Sequence, residues 1–266
     1  KYLNEETRWK SSIPMATVFL MSAQLESEPL GSNAVKDYQA LIGSLNYLCH
    51  ASRPDIMFSV NTLSRFLKKP KSVHWSAALR VVKYLNSTPC LSIVFSMPAG
   101  DTIVTLHAFC DASFASTPVV DGYSITGILI YVNGNLVQWR SSKQSVISLS
   151  AMEAELNAIS QTIIDLQFIV NLLNELKYEV PTMLIYTDSE PSIKYLNNQS
   201  DVLKPRTRHL ALKYHFIRKA IQDGEIELRY IPTKEQRADV LTKPLARPQF
   251  EWLRSLLLKD DEERHV

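Results

Sequence analysis

The hydrophobic pattern of this chain changes period at Pro98-Ala99-Gly100, and no other feature constrains the fold as strongly. Upstream, apolar residues recur at helical spacing. Downstream, Val104, Leu106, Ala108 and Cys110 alternate with Thr105, His107, Phe109 and Asp111, the period of a strand with two unlike faces. Helical and strand-bearing stretches bury their apolar surface in different layers, so a domain boundary is expected at 98–100. With 266 residues, 45% of them hydrophobic, the chain can fill one large or two medium cores.

Upstream of the boundary, residues 1–35 read as irregular, broken by Pro14, Pro29 and Gly31-Ser32. Three helices are expected to follow. The first, over 37–50, sets Tyr38, Leu41, Ile42, Leu45 and Leu48 on one face. The second begins at Ser52-Arg53-Pro54-Asp55, with Ser52 as cap, Pro54 in the first turn and Asp55 at the positive helix end. The third is capped near Ser72 and faces the core with Trp75, Ala78, Leu79, Val82 and Leu85.

Downstream, a strand ends at Asp111, and 122–132 with 135–140 form a hairpin about Asn133-Gly134. A long helix over 149–177 precedes a strand at Met183–Tyr186 and a short helix after Asp188. A helix over 207–222, a strand at Glu225–Ile231 and helices from Lys234 and Pro248 complete the order. Three strands, helix, strand, two helices, strand and helix predict an α/β domain with a mixed sheet.

Four acids stand at telling places in that order. Asp111 and Asp188 each sit where an apolar strand stops, the edge on which open α/β sheets hold their ligands. Within 149–177, Met152, Ile159, Ile163, Leu166, Val170 and Leu173 mark an apolar stripe about 80° wide. Glu155 falls inside it, while Glu153 lies about 100° from Met152 and reads as a surface residue. A carboxylate on a core-facing stripe is costly unless something positive meets it. Asp239 lies early in the helix expected from Lys234, where the helix dipole stabilises it. Singly, each acid is as well explained by a turn, a cap or a solvated face. Together, four carboxylates from separate elements can hold two hard divalent cations roughly 3.5–4 Å apart, the arrangement that cuts phosphodiesters by in-line displacement.

Other classes fit poorly. The net charge is only +2, so any nucleic-acid footprint must be local. Three scattered cysteines, Cys49, Cys90 and Cys110, give neither a disulfide framework nor a zinc pattern and predict a reducing compartment. No apolar run near 18 residues is evident, so no membrane partner is expected. Neither Gly-x-Ser-x-Gly nor Gly-x4-Gly-Lys-Ser/Thr occurs. The first residue is Lys1 rather than Met, which predicts a processed or excised piece.

Residues 101–246 resemble a ribonuclease H domain. Phe109-Cys110-Asp111-Ala112-Ser113, Glu155-Leu156-x-Ala158-Ile159, Thr187-Asp188-Ser189 and Ala238-Asp239-Val240-Leu241-Thr242-Lys243 are similar to that family's four acidic motifs. The flavour is that of copia-type (pseudovirus) retrotransposon polyproteins, carried also by Ser142-Lys143-Gln144, Arg208-His209-x4-Tyr214-His215 and Lys243-Pro244-Leu245. Upstream, Tyr38-Gln39-x-Leu41-Ile42-Gly43-Ser44-Leu45-Asn46-Tyr47, Arg53-Pro54-Asp55-Ile56 and Ser64-Arg65-Phe66 resemble the segment joining reverse transcriptase to ribonuclease H.

The resemblance implies a ribonuclease H-like mixed five-stranded sheet with helices, preceded by a smaller, mainly helical domain. Its domains are 1–99, a reverse transcriptase connection segment; 101–246, ribonuclease H; and 247–266, a helical tail. It also implies an endoribonuclease that cuts the RNA strand of RNA–DNA hybrids. Asp111, Glu155, Asp188 and Asp239 would hold two Mg²⁺ ions, with Mn²⁺ as a substitute. The partners implied are the hybrid and the rest of the reverse transcriptase or Pol, in the cytoplasm, within virus-like particles, with entry to the nucleus open. The Tyr-x-Asp-Asp strand of a polymerase is missing, so this chain alone is not expected to make DNA. The loop before Asp239 carries no His, a departure from many cellular ribonucleases H, and His209 is the candidate substitute.

On the 207–222 helix, Arg208, His215 and Lys219 share the face opposite Leu210, Tyr214, Ile217 and Ile221. With Lys204 and Arg206 they form a basic ridge suited to a phosphate backbone, or else a solvated face. Lys68, Lys69 and Lys71 form a second patch beside Trp75. By resemblance, Ser113, Ser142, Lys143 and Gln144 meet the hybrid near the cut. An integrase-type nuclease is disfavoured because Glu155 precedes Asp188 and an Asp closes the set. The remaining alternative is a non-catalytic connection module or decayed transposon remnant that binds nucleic acid or Pol subunits.

Overall fold

The computed structural model describes residues 10–17, 19, 27–96, 104–114, 122–180, 182–197 and 208–260, with the backbone alone for 208–211. Two compact units emerge. One comprises the described residues up to Val94 with those from Lys243 on; the other comprises the described residues from Phe95 to Thr242.

The first unit is mainly helical. Helix α1 (Ser32–Ala51) buries Tyr38, Leu41, Ile42, Leu45 and Cys49. A 3-10 turn at Pro54–Ile56 leads into α2 (Met57–Ser64), and α3 spans Ser72–Asn86. Strand β1 (Leu91–Ser92) pairs antiparallel with β7 (Lys259–Asp260). Helix α7 (Arg247–Leu257) buries Phe250, Leu253 and Leu257.

Three local expectations need correction. Helix α1 starts five residues before 37, and Ser52 ends it instead of capping the next one. The cap of α3 is Lys71, whose backbone N–H donates to His74 Nδ1 at 2.8 Å, and the buried face carries His74, Ala78, Val81 and Tyr84. That face is one residue out of step with the expected Trp75–Leu85 stripe. The reason is that His74 stacks on Phe66 with ring centroids 3.9 Å apart, and Tyr84 turns inward to reach Asp55. Asp55 is not a solvated dipole partner: both its oxygens accept from Arg53, at 2.9 and 2.8 Å, inside the core.

The second unit is built on a mixed five-stranded sheet in the order β4-β3-β2-β5-β6. Strands β2 (Leu106–Ser113), β3 (Ile125–Val132) and β4 (Asn135–Lys143) are antiparallel; β5 (Met183–Thr187) runs parallel to β2, and β6 (Ile226–Tyr230) parallel to β5. Asn133 and Gly134 both take positive φ, 49° and 75°, as a two-residue hairpin twisted like its strands requires. The helices are α4 (Ala151–Glu175), α5 (Glu190–Asn197) and α6 (Arg208–Gln222). One sheet face carries Leu106, Ala108, Cys110, Ile128 and Ile185, packed against Leu156, Ile159, Ile163 and Leu166 of α4 and Tyr214 and Ile217 of α6.

Helix α4 is apolar enough to pass for a membrane span by composition, with a mean hydropathy of 1.3 over 18 residues, contrary to the sequence expectation. Its apolarity is spent on the sheet: 56% of that window is buried inside the fold.

Candidate metal centre

Strand register brings the first two acids together. Phe109 pairs with Tyr186 across the parallel β2–β5 ladder, so Asp111 and Asp188, each two residues on, leave neighbouring strands at the same level. Asp188 follows the last residue of β5, in a turn where the Ser189 N–H donates to Thr187 Oγ1 at 3.2 Å. Asp111 is not terminal, as the sequence reading had it. Strand β2 continues to Ser113, and Asp111 faces Gly127 on β3.

Helix α4 supplies the third. Ala112 packs on Ala154 and Ala158, and side chains this small let the start of the helix lie close to the end of β2. Glu155, 9% exposed, is thereby aimed at the sheet edge. Carboxylate oxygens of Asp111, Glu155 and Asp188 all lie within 4.8 Å of one another. Their combined field is felt by Cys110: burial first, then the charges of Glu155, Asp111 and Asp188, push its thiol well above the usual range.

Asp239 is not in that group of three. It lies fully buried in a 3-10 helix, Arg237–Leu241, rather than in the longer helix expected from Lys234. Both ends of this turn are pinned to β2. Gln236 donates from Nε2 to the Cys110 carbonyl at 2.9 Å, and Thr242 donates from Oγ1 to Asp111 Oδ2. Gly127 makes the approach possible. A Cβ there would stand 2.6 Å from Thr242 Cγ2 and 2.8 Å from the Ala238 carbonyl oxygen. The glycine keeps open the space in which the Asp239 turn lies against the sheet.

Glu153, expected on the surface, is 3% exposed. Its carboxylate accepts from the Leu149 N–H at 2.7 Å, and Ser150 Oγ accepts from the Glu153 N–H at 3.1 Å. This is a reciprocal cap of α4, and the Ser-x-x-Glu spacing that signals it is legible in the sequence.

The expected nucleic-acid contacts fare unevenly. Ser113 and Ser142 are half-buried at the ends of β2 and β4. Lys143 is exposed, its ammonium 4.1 Å from the Tyr123 ring centroid. Lys219 is exposed on α6. Lys204 and Arg206, and the side chains of Arg208 and His209, lie outside the described residues. Gln144 must be corrected. It is buried, Nε2 donates to Thr126 Oγ1 at 3.0 Å and the Ala154 carbonyl at 2.9 Å, and Oε1 accepts from Ser148 at 2.9 Å and Asn157 at 3.1 Å. No hydrogen-bonding capacity is left for a ligand. Its role is to hold the 144–150 loop onto the head of α4, with Lys213 of α6 donating to Asn157 behind it.

The donor set suits a hard cation. Three carboxylates offer only oxygen, the choice of Mg²⁺ and Mn²⁺ over zinc or copper. Around Mg²⁺ adjacent oxygens stand about 2.9 Å apart and opposed ones about 4.2 Å, so the three acids would have to draw together to ligate one ion.

No protein-family model matches the chain. It is 36% identical over 223 residues to the retrovirus-related Pol polyprotein from transposon RE2 of Arabidopsis thaliana, covering 81% of this chain and 14% of that protein. It is 32% identical over 230 residues to the corresponding polyprotein from transposon TNT 1-94 of Nicotiana tabacum, covering 86% of this chain and 17% of that one. These homologues, spanning most of the chain, are copia-type Pol polyproteins, and the chain corresponds to under a fifth of their length. Among solved structures, LC11-RNase H1 in complex with an RNA/DNA hybrid aligns with a TM-score of 0.40 at 19% identity, over 52% of this chain and 94% of that one.

Proposed function

From homologues that are copia-type Pol polyproteins, we propose that this chain is a ribonuclease H that cuts the RNA strand of RNA–DNA hybrids during retrotransposon reverse transcription. The observation that carries the reading is the convergence of Asp111, Glu155 and Asp188 from two strands and a helix onto one edge of the sheet. Mutual repulsion among such carboxylates is relieved by binding cations.

In this reading Asp111, Glu155, Asp188 and Asp239 would hold two Mg²⁺ ions, with Asp111 serving both, Glu155 and Asp188 the ion on the leaving-group side and Asp239 the other. Bound there, the ions would lower the pKa of an attacking water and neutralise charge on the phosphate. The protein holds the acids in place through Thr242, Gln236 and the cap of α4, so little reorganisation is left for the reaction. Lys219, Ser142 and Lys143, with Lys204, Arg206 and Arg208, would meet the hybrid backbone, and shape with 2′-hydroxyl contacts would select the hybrid. The reading also assigns the enzyme to virus-like particles in the cytoplasm, alongside the rest of Pol.

The test is hydrolysis of an end-labelled hybrid by the purified chain. Products with 5′-phosphate and 3′-hydroxyl ends should come from the RNA strand alone and only with Mg²⁺ or Mn²⁺. Cleavage that persists in excess chelator overturns the two-metal reading. A folded chain that binds Mn²⁺ and hybrid but cuts nothing would favour the non-catalytic module.

A further inference from the structure

The first unit carries a charged cavity that no step of the proposed reaction uses. Residues 10–17 and Phe19 lie along α3, tied by the Ser11 N–H donating to Ser87 Oγ at 3.2 Å and by Arg80 Nε donating to the Ile13 carbonyl at 3.4 Å. Between segment and helix is an open cavity of about 400 Å³. Its floor is apolar, with Met15 and Phe19 buried, and Lys10, Arg80 and Lys83 line it together with Ser76.

The charge balance is one-sided. Among the described residues no acid lines the cavity, and the fifteen residues of α3 include neither Asp nor Glu. Among the described residues, none of Lys10, Arg80 and Lys83 enters an ion pair. Elsewhere in the same unit the buried Arg53 is matched by Asp55. Like charges gathered over an apolar floor favour an anion, because the low dielectric strengthens attraction while no acid among the described lining residues competes for it. Lys68, Lys69 and Lys71 carry the positive charge on past the first turn of the same helix. At 1.5 Å per residue, α3 is about 22 Å long, roughly six base-pair steps measured along a duplex axis.

We propose that this cavity is a phosphodiester-binding site, through which the first unit grips a nucleic-acid backbone independently of the carboxylate cluster. Phosphate is the fitting chemistry, since Arg80 presents a planar fork of donors and the lysines add point charges. A continuous backbone fits better than a small anion because the cations run beyond the cavity along the helix.

The experiment measures binding of the full chain to a labelled RNA–DNA hybrid in chelator, so that cleavage plays no part and failure of the proposed reaction leaves the result unaffected. The paired change Arg80→Ala with Lys83→Ala should weaken binding about tenfold near 0.1 M salt and lower the log–log salt slope by about 1.8, two phosphate contacts at about 0.9 each. Ser76→Glu, an exposed position on the rim, should do the same by adding a carboxylate, and it guards against a folding defect in the pair. Lys36→Ala with Lys259→Ala, outside the cavity, should leave the slope alone. Inorganic phosphate supplies the other arm. If it raises the melting temperature of the native chain and not of the paired variant while the hybrid slope is the same in both, the cavity takes small anions only and the proposal falls. An unchanged slope with no phosphate effect also overturns it.

Discussion

Asp55 in the first unit and Asp111 in the second are almost equally buried, at 1% and 3% exposure, yet their surroundings are opposite. Asp55 sits in a paired network: Arg53 binds both its oxygens, Tyr84 donates to Oδ2 at 2.5 Å, and Arg53 also donates to the Thr88 carbonyl at 2.9 Å. Asp111 sits among its own kind, with Glu155 and Asp188 within 4.8 Å. Burying an acid costs free energy in both places. In the first, the charge is cancelled within the chain and the result is a pin between helices. In the second, like charges are held together by the fold, an arrangement whose repulsion a bound cation would relieve. The company a buried acid keeps, more than its burial, separates a structural carboxylate from a ligand.

The contrast is broken most directly by making the same change twice. Asp111→Asn should cost about 10³-fold in hybrid cleavage, the upper range for losing one electrostatic group at a reacting centre. Its thermal unfolding should move little or rise, since a repulsive charge is gone. Asp55→Asn should do the reverse. Denaturant unfolding should show a loss of about 3 kcal/mol, because Arg53 is left buried without its partner. Cleavage per folded molecule should hold. If both variants lose activity with stability intact, Asp55 is not the pin described here.

A finer test concerns how Asp111 is held. Thr242→Val keeps the shape but removes the hydroxyl that donates to Asp111 Oδ2. Cleavage should fall about tenfold, in line with a hydrogen bond to a charged group worth about 1.5 kcal/mol. Calorimetric Mn²⁺ affinity should fall with it, and Thr242→Ser should restore most of both. Wild-type activity in the Val variant would show that the bond does not position the acid.

The smallest effect distinguishes two acids on one helix. Glu153→Ala should cost about 1 kcal/mol of stability through the lost cap, with cleavage per folded molecule unchanged. Glu155→Gln should abolish cleavage and leave stability nearly untouched. A reversal would put the metal ligand on Glu153 and undo the geometry of the site.

Much of this was legible beforehand, for a local reason. Alternation over 104–111 marks β2, Asn133-Gly134 marks the hairpin, and the stripe from Met152 to Leu173 marks α4, because strand and helix periods are written in neighbouring residues. Glu155 could be singled out by the same angular arithmetic. What escaped depends on partners in other elements. Gln144 looked like a ligand contact until Thr126, Ser148, Ala154 and Asn157 were seen to use all its capacity. The face of α3 was misjudged because Phe66 and Asp55 choose which side of it turns inward. Gly127 carried a usable signal, since a lone glycine in an apolar strand points to a close backbone approach.

By itself, then, the order of residues determined the element types, the mixed α/β character of residues 104–242 and the four acids as a set. Periodicity and residue chemistry are properties of short windows, and no partner is needed to express them. Tertiary structure decided which acids meet. The parallel β2–β5 register sets Asp111 beside Asp188, the small residues Ala112, Ala154 and Ala158 let Glu155 approach, and Gly127 leaves room for the Asp239 turn pinned by Gln236 and Thr242. Those distances follow from packing between segments separated by 42 residues at the least, Ala112 to Ala154, and by 131 at the most, Asp111 to Thr242, and no short window of sequence contains them.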